Sequence, residues 1–195
     1  MSLTEGKNIL VYVETADGAP AGPALEILAK AKELAHAKGE EVIAAVLEKE
    51  PEEAAKTAIE AGADKAVIVK TEEKRAEVRA AMLAKLVEKY TPAVVLAAAT
   101  QEGKDIAPLT AKKFDAGCAV DVMNIVADGE QYILTCPVYG GNILNDVVLK
   151  TLPVVATVRG GSFAKEIEAG KTGEIITETV AIPEESVFTK IANVV

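Results

Sequence analysis

The stretch that decides the fold is EVIAAVLEKEPEEAAKTAIEAGADKAVIVK, residues 41–70. Its two ends, Glu41–Glu48 and Lys65–Lys70, are short and almost wholly apolar, which is typical of strands in a buried sheet. Between them, Pro51 and two acidic residues open an alanine-rich run, a pattern that favours the start of a helix. A strand, a helix and a second strand predict a right-handed crossover between two parallel strands.

The same alternation extends outward from this unit in both directions. On the amino-terminal side, the strand Asn8–Glu14 precedes a helix over Ala24–Lys38, which Gly39 should end in a left-handed conformation. On the other side, a helix over residues 73–90 leads to the strand Ala93–Thr100. We therefore predict an α/β fold of three layers, α/β/α, with a mainly parallel, doubly wound sheet. These four strands should be central and follow the order 3-2-1-4-5.

Beyond the fourth strand the pattern changes. Residues 106–117 predict one more helix, and from Gln131 three strand-like pieces are separated by turns. We expect the sheet to finish with these as hairpin or short-crossover strands, with one further strand within residues 174–182. Residues 1–182 are predicted to form one domain. Residues 183–195 would be a tail, whose apolar run VFTKIANVV is a candidate for a surface that a partner covers.

Composition and charge narrow the classes of function. The formal net charge of −9 argues against a surface that follows the phosphates of a nucleic acid. No apolar run approaches the roughly 20 residues of a membrane span, and no secretory signal opens the sequence. Cys118 and Cys136 lack a CxxC spacing, and the single histidine, His36, belongs on a helix surface. We therefore expect a cytoplasmic protein without nucleic acid, membrane insertion or metal.

The strongest local signal for chemistry is the passage from the fourth strand into the next helix, Thr100-Gln-Glu-Gly103-Lys104-Asp105. A glycine in such a loop leaves backbone N–H groups facing the amino terminus of a helix, where they can cradle a phosphate. The residues match neither the GxGxxG fingerprint nor a P-loop. The alternative is a plain turn in which Asp105 caps the helix.

Glu14 ends the first predicted strand, as Thr100 ends the fourth. In a sheet ordered 3-2-1-4-5, these two ends flank the crevice where open α/β sheets bind ligands. Glu14 could there accept a hydrogen bond from a ribose hydroxyl or an adenine amine, or it could be a solvated carboxylate at a strand end. The spacing of carboxylates and serines does not indicate acid/base or nucleophilic catalysis.

Three stretches together resemble the amino-terminal domain of electron transfer flavoprotein alpha subunits: TPAVVLAAATQEGKDIAPLTAKKFDAGCAVDV (91–122), CPVYGGN (136–142) and PVVATVRGGSF (153–163). The resemblance implies a fold of the adenine-nucleotide-hydrolase type. Its crevice holds AMP in many beta subunits and is generally regarded as empty in alpha subunits. By resemblance, then, a vestigial nucleotide pocket is formed by Glu14, Thr100, Gly103, Lys104 and Asp105.

The resemblance also implies an electron carrier rather than an enzyme. In the family a second domain follows and receives FAD, so FAD is expected in the family complex but not in this chain alone, and residues 183–195 could begin a linker. The implied partners are a beta subunit and, through the complex, acyl-CoA or related dehydrogenases. A second hypothesis is a free-standing adenine-nucleotide-binding protein of the universal-stress type, which the missing Gly-x2-Gly-x9-Gly-[Ser/Thr] motif disfavours. A hydrolase would need a catalytic constellation that the sequence does not indicate.

Overall fold

The computed structural model describes residues 3–182 and 186–190. In chain order its elements are β1 (Ile9–Tyr12), β2 (Thr15–Ala16), β3 (Ala19–Pro20), α1 (Gly22–Lys38), β4 (Val42–Glu48), α2 (Glu52–Glu60), β5 (Lys65–Lys70), α3 (Ala76–Tyr90), β6 (Val94–Ala98), α4 (Gln101–Lys113), β7 (Cys118–Val122), β8 (Asn124–Asp128), β9 (Gln131–Val138), β10 (Ile143–Val147), β11 (Val154–Val158) and β12 (Glu174–Glu178). A short 3-10 turn over Tyr139–Gly141 joins β9 to β10.

The main sheet has seven strands in the order β12-β5-β4-β1-β6-β11-β7, and every neighbouring pair is parallel. All residues of β1 and β6 are buried, as their apolar sequences predicted. The chain runs outward from β1 to β4 and β5, then crosses back to the other side of β1 for β6. The predicted parallel, doubly wound sheet is confirmed, and its four central strands lie in the predicted order.

Helices cover both faces of this sheet because the side chains of each strand alternate between the faces. Ile9 and Val11 of β1 pack with α1 and α2 on one face, while Leu10 and Tyr12 pack with α3 and α4 on the other. This arrangement is the expected α/β/α sandwich. Among the described residues, the helices are too short or too polar to cross a membrane.

The second half of the chain departs from the prediction. β8, β9 and β10 form a separate antiparallel sheet rather than the end of the main one. β11, in contrast, lies in the main sheet, parallel to β6 and β7. The reason is burial: β11 is wholly buried and can fill a place between two strands, whereas four of the five residues of β10 are exposed.

Two helix ends can be compared with the sequence-based expectation. Gly39 ends α1 with φ 64°, so the predicted left-handed cap is confirmed. The helix α3 begins at Ala76 and not at Glu73. The carboxylate of Glu73 accepts hydrogen bonds from the backbone N–H groups of Lys74 and Arg75, and these bonds hold residues 73–75 in an extended turn before the helix.

The described part of the tail, residues 186–190, lies against the first turn of α3. The backbone N–H and the hydroxyl of Thr189 both donate to the carboxylate of Glu77, and Arg75 donates to the Thr189 carbonyl. The side chain of Phe188 is 71% exposed. Residues 183–185 and 191–195, on which the rest of the tail prediction falls, lie outside the described residues.

Candidate functional site

The candidate crevice lies at the carboxyl ends of the neighbouring strands β1 and β6. At this point the strand order switches from one side of β1 to the other. Thr100 follows β6 and is the N-cap of α4, with its hydroxyl oxygen accepting a hydrogen bond from the Gly103 N–H at 3.0 Å. The same hydroxyl donates to Glu14 Oε2 at 2.5 Å. The structure thus brings Glu14, Thr100 and Gly103 together, but they bind one another.

One detail of the predicted site, the loop, and one detail of its alternative, the cap at Asp105, are wrong. Residues 101–105 are the first turn and a half of α4, not a loop, and the helix cap is Thr100 rather than Asp105. Threonine can cap here because its extended backbone places the hydroxyl next to the free N–H of the third helical residue. Lys104 and Asp105 are exposed on the helix surface, and Asp105 accepts a hydrogen bond from Gln101.

Gly103 is required by packing rather than by a ligand. A Cβ atom built on Gly103 would lie 1.9 Å from the carbonyl oxygen of Ala98, at the end of β6. No side chain fits at that distance, because the obstacle is backbone. The glycine therefore allows α4 to start directly against the strand that precedes it, and its N–H is already used by Thr100.

Replacing Thr100 with valine should lower the free energy of unfolding by about 1 kcal/mol, with a range of about 0.5–2 kcal/mol. Valine has nearly the same shape but cannot accept the bond from Gly103 or donate to Glu14. Thr100→Ser keeps the hydroxyl and should remain close to the original stability. Urea denaturation of the three proteins measures the difference. Equal stability of the valine and serine variants would contradict this account of the cap.

Next to these residues lies a polar cluster that the sequence analysis missed, centred on Arg79. This side chain is buried, and it donates four hydrogen bonds to other groups of the protein. Its Nη1 donates to Tyr12 Oη and to Glu102 Oε1, each at 2.7 Å. The other two bonds go from Nη2 to Glu48 Oε1 at 3.1 Å and from Nε to the Glu73 carbonyl at 2.7 Å. The cluster joins β1, β4, α3 and α4 at the carboxyl edge of the sheet.

A signal for this cluster was present in the sequence. Arg79 lies four and seven residues before Leu83 and Leu86, so it shares the apolar stripe of α3. A charged residue in such a stripe indicates a buried partner. Its partners could not be identified from sequence spacing, because they come from three other elements.

Three groups of the cluster, Glu48, Tyr12 and Arg79, keep their charge states around neutral pH. Partial burial raises the pKa of the Glu48 carboxyl, but hydrogen bonds from its neighbours outweigh this effect and lower it to about 2. Those neighbours are Lys74, Thr15 and Arg79. Burial raises the pKa of Tyr12 well above its ordinary value, and arginine stays protonated. None of these three groups exchanges a proton readily near pH 7, so they do not suit general acid or base catalysis.

A second ion pair ties the edge strand β7 to its neighbour β11 in the main sheet. Arg159, which follows β11, donates to both carboxylate oxygens of Asp121 in β7. The backbone N–H of Asp121 donates to the hydroxyl of Thr157, which is buried. These contacts give the Thr-Val-Arg stretch, residues 157–159, a role in holding β7 at the edge of the sheet.

Two cavities lie away from the crevice. One of about 470 Å³ runs along α1 and is lined by Lys30, His36 and Phe163, among others. Another of about 300 Å³ is lined by Lys38 and Tyr132, with the Lys38 ammonium 4.7 Å from the centre of the Tyr132 ring. Glu14, Thr100 and Gly103 line neither cavity.

Comparison with known proteins gives a consistent result. A profile of the family described as "Electron transfer flavoprotein domain" matches residues 9–183. The electron transfer flavoprotein subunit alpha of Thermoanaerobacterium thermosaccharolyticum is 29% identical, over 98% of this chain and 60% of that protein. Its counterpart in Clostridium acetobutylicum is also 29% identical, over 100% of this chain and 61% of that protein. The acryloyl-CoA reductase electron transfer subunit beta of Anaerotignum propionicum is 24% identical, over 97% of this chain and 60% of that protein. The chain thus spans about 60% of the length of these relatives.

Proposed function

Because the chain belongs to the electron transfer flavoprotein domain family, we propose that it is the structural and docking domain of an alpha-type subunit. In this role it holds a beta-type subunit, and the complex carries electrons from flavin dehydrogenases, such as those acting on acyl-CoA, to a downstream acceptor in the cytoplasm. Residues 1–182 form the domain, and residues 183–195 connect it to a flavin-binding part. The observation that carries the proposal is the family match over residues 9–183.

The geometry of the crevice argues against binding of a nucleotide. The hydroxyl of Thr100 and the N–H of Gly103 are bonded within the helix cap, and Glu14 accepts from Thr100. A nucleotide would have to displace these bonds. The universal-stress type of nucleotide binding is therefore not favoured, and Glu14, Thr100, Gly103, Lys104 and Asp105 remain a proposal for a vestigial pocket.

The described residues at the candidate phosphate cradle also do not fit FAD. A tightly held dinucleotide needs a phosphate cradle and groups that contact the isoalloxazine ring. Two of the four tyrosines, Tyr12 and Tyr132, are buried, and the main-chain N–H at the one candidate cradle is used by Thr100. We therefore propose that FAD is held elsewhere in the complex and that the purified chain is colourless.

The test is coexpression of the tagged chain with an electron transfer flavoprotein beta subunit from the same genome. We expect a one-to-one complex on size-exclusion chromatography and calorimetry. The chain alone should bind neither FAD nor AMP nor ATP in calorimetric titrations. Failure to associate with the beta subunit would overturn the docking role. Stoichiometric yellow FAD on the chain alone after desalting would overturn the assignment of the flavin to another part of the complex.

A further inference from the structure

Residues 186–190, the part of the tail that the structure describes, lie on α3 and are held there mainly by polar contacts; we call this segment the strap. Its apolar side chains contribute little, since Phe188 is 71% exposed and Val187 is 40% exposed. Ser186 is the one residue of the strap that is buried. A segment that buries little apolar surface gains little free energy from the hydrophobic effect. Whether the strap stays on α3 therefore depends on its hydrogen bonds.

These hydrogen bonds converge on one residue of the strap, Thr189. Its backbone N–H donates to Glu77 Oε1 at 3.2 Å, and its hydroxyl donates to the same oxygen. From the other side, Arg75 Nη1 donates to the Thr189 carbonyl oxygen at 3.1 Å. We call Glu77 and Arg75 the clasp. Because both are charged, their hydrogen bonds are stronger than bonds between neutral groups.

The clasp is held in place by contacts that do not include the strap. Arg75 forms an ion pair with Glu73, to which its Nε donates at 2.8 Å. The Glu73 carbonyl in turn accepts the hydrogen bond from the buried Arg79. Glu77 lies in the first turn of α3. Breaking the bonds to Thr189 therefore leaves the clasp and the Arg79 cluster in place, so the strap can open without unfolding the domain.

We propose that the strap opens and closes as one unit over the first turn of α3, and that the carboxylate of Glu77 holds it closed. In the open state, Glu77 and Arg75 exchange their bonds to Thr189 for bonds to water. The strap thus controls access to the surface of α3 next to the Arg79 cluster. The inference does not depend on the proposed function, because every contact that it uses lies within this chain.

The test measures amide hydrogen exchange at Thr189 by NMR in the full chain. Glu77→Ala removes the acceptor of both Thr189 donors. It should accelerate exchange of the Thr189 N–H roughly tenfold or more, the effect of losing hydrogen bonds to a charged group. Glu77→Gln keeps an oxygen acceptor without the charge and should give an intermediate rate. Thr189→Val removes only the hydroxyl, at an exposed position, and should accelerate exchange less than Glu77→Ala.

The matched control is Glu53→Ala, because Glu53 is also an acidic residue in the first turn of a helix, α2. Its ion pair with Lys56 lies within that helix. Both alanine variants lose a favourable interaction with a helix amino terminus, so this general effect is the same in the two proteins. The control should leave the exchange rate at Thr189 within about twofold of the parent, as expected for a distant site.

The exchange rates also show whether the strap opens alone. Faster exchange at Thr189 in Glu77→Ala, with unchanged rates at Leu83 and Leu86 of α3, would support the strap as a separate unit. Acceleration by the same factor at all three residues would overturn it, because the strap would then open only with the helix. Equal rates at Thr189 in the parent, Glu77→Ala and Thr189→Val would show that the clasp does not hold the strap.

Discussion

Gly103→Ala is expected to lower the free energy of unfolding by about 3 kcal/mol or more, the upper end of what overpacking costs. The added Cβ would lie 1.9 Å from the carbonyl oxygen of Ala98, which belongs to a fully buried central strand. Relief requires α4 to move away from β6, and this would also break the cap between Thr100 and Gly103. Urea denaturation followed by circular dichroism measures the loss.

Gly22→Ala is the matched control, since Gly22 also lies in the first turn of a helix. There the new Cβ would meet only the end of the Lys165 side chain, at 2.7 Å, and that flexible side chain can move. The control should change stability by less than about 1 kcal/mol, and its sign can be favourable because alanine has the higher helix propensity. If the two alanine variants were equally stable, the contact with Ala98 would not be what requires glycine at position 103.

Arg79→Met is expected to destabilise the protein by about 3–5 kcal/mol, the cost of removing one partner from a buried ion pair. Methionine fills much of the volume but leaves the carboxylates of Glu48 and Glu102 without the guanidinium that lies between them. It also leaves Tyr12 Oη without its donor. Chemical denaturation at pH 7 measures the loss.

Two further variants separate the electrostatic cause from lost packing. Lys85→Met also replaces a basic side chain of α3 with methionine, but the ion pair that it breaks is half-exposed. It should therefore lower the free energy of unfolding by less than about 1 kcal/mol. Adding Glu102→Gln to Arg79→Met should recover part of the stability, because it removes the carboxylate charge that Arg79 had neutralised. Glu48 is left unchanged, since it keeps its ion pair with Lys74. No recovery would show that the loss comes from packing and not from unpaired charge.

The sequence predicted the layers of the fold because the central strands are wholly apolar and each is followed by a helix. A place in the middle of a sheet covered on both faces is what suits the strands predicted over Asn8–Glu14 and Ala93–Thr100. The position of β11 could not be predicted, because it depends on pairing with strands far earlier in the chain. Val154 aligns with Val94 of β6, 60 residues before it, and Ala156 aligns with Ala119 of β7, 37 residues before it.

The candidate site was predicted less well, for a related reason. Glu14 and Thr100 were correctly expected to lie close together, because the ends of neighbouring parallel strands meet at one edge. Asp105 was considered as the cap because the helix was expected to begin at residue 106, whereas it begins five residues earlier, at Gln101. Arg79 was overlooked because its partners, Tyr12, Glu48 and Glu102, are brought together only by the finished fold.

The place of β11 between β6 and β7 sets an order on how the chain can be assembled during synthesis. Until residues 154–158 have been synthesised, β6 pairs only with β1, and β7 has no partner in the main sheet. The antiparallel sheet of β8, β9 and β10, in contrast, pairs only residues close in sequence and can form as soon as it emerges. A nascent chain that ends near residue 150 therefore carries this finished antiparallel sheet beside an open, apolar strand edge, the state in which it is most prone to aggregate.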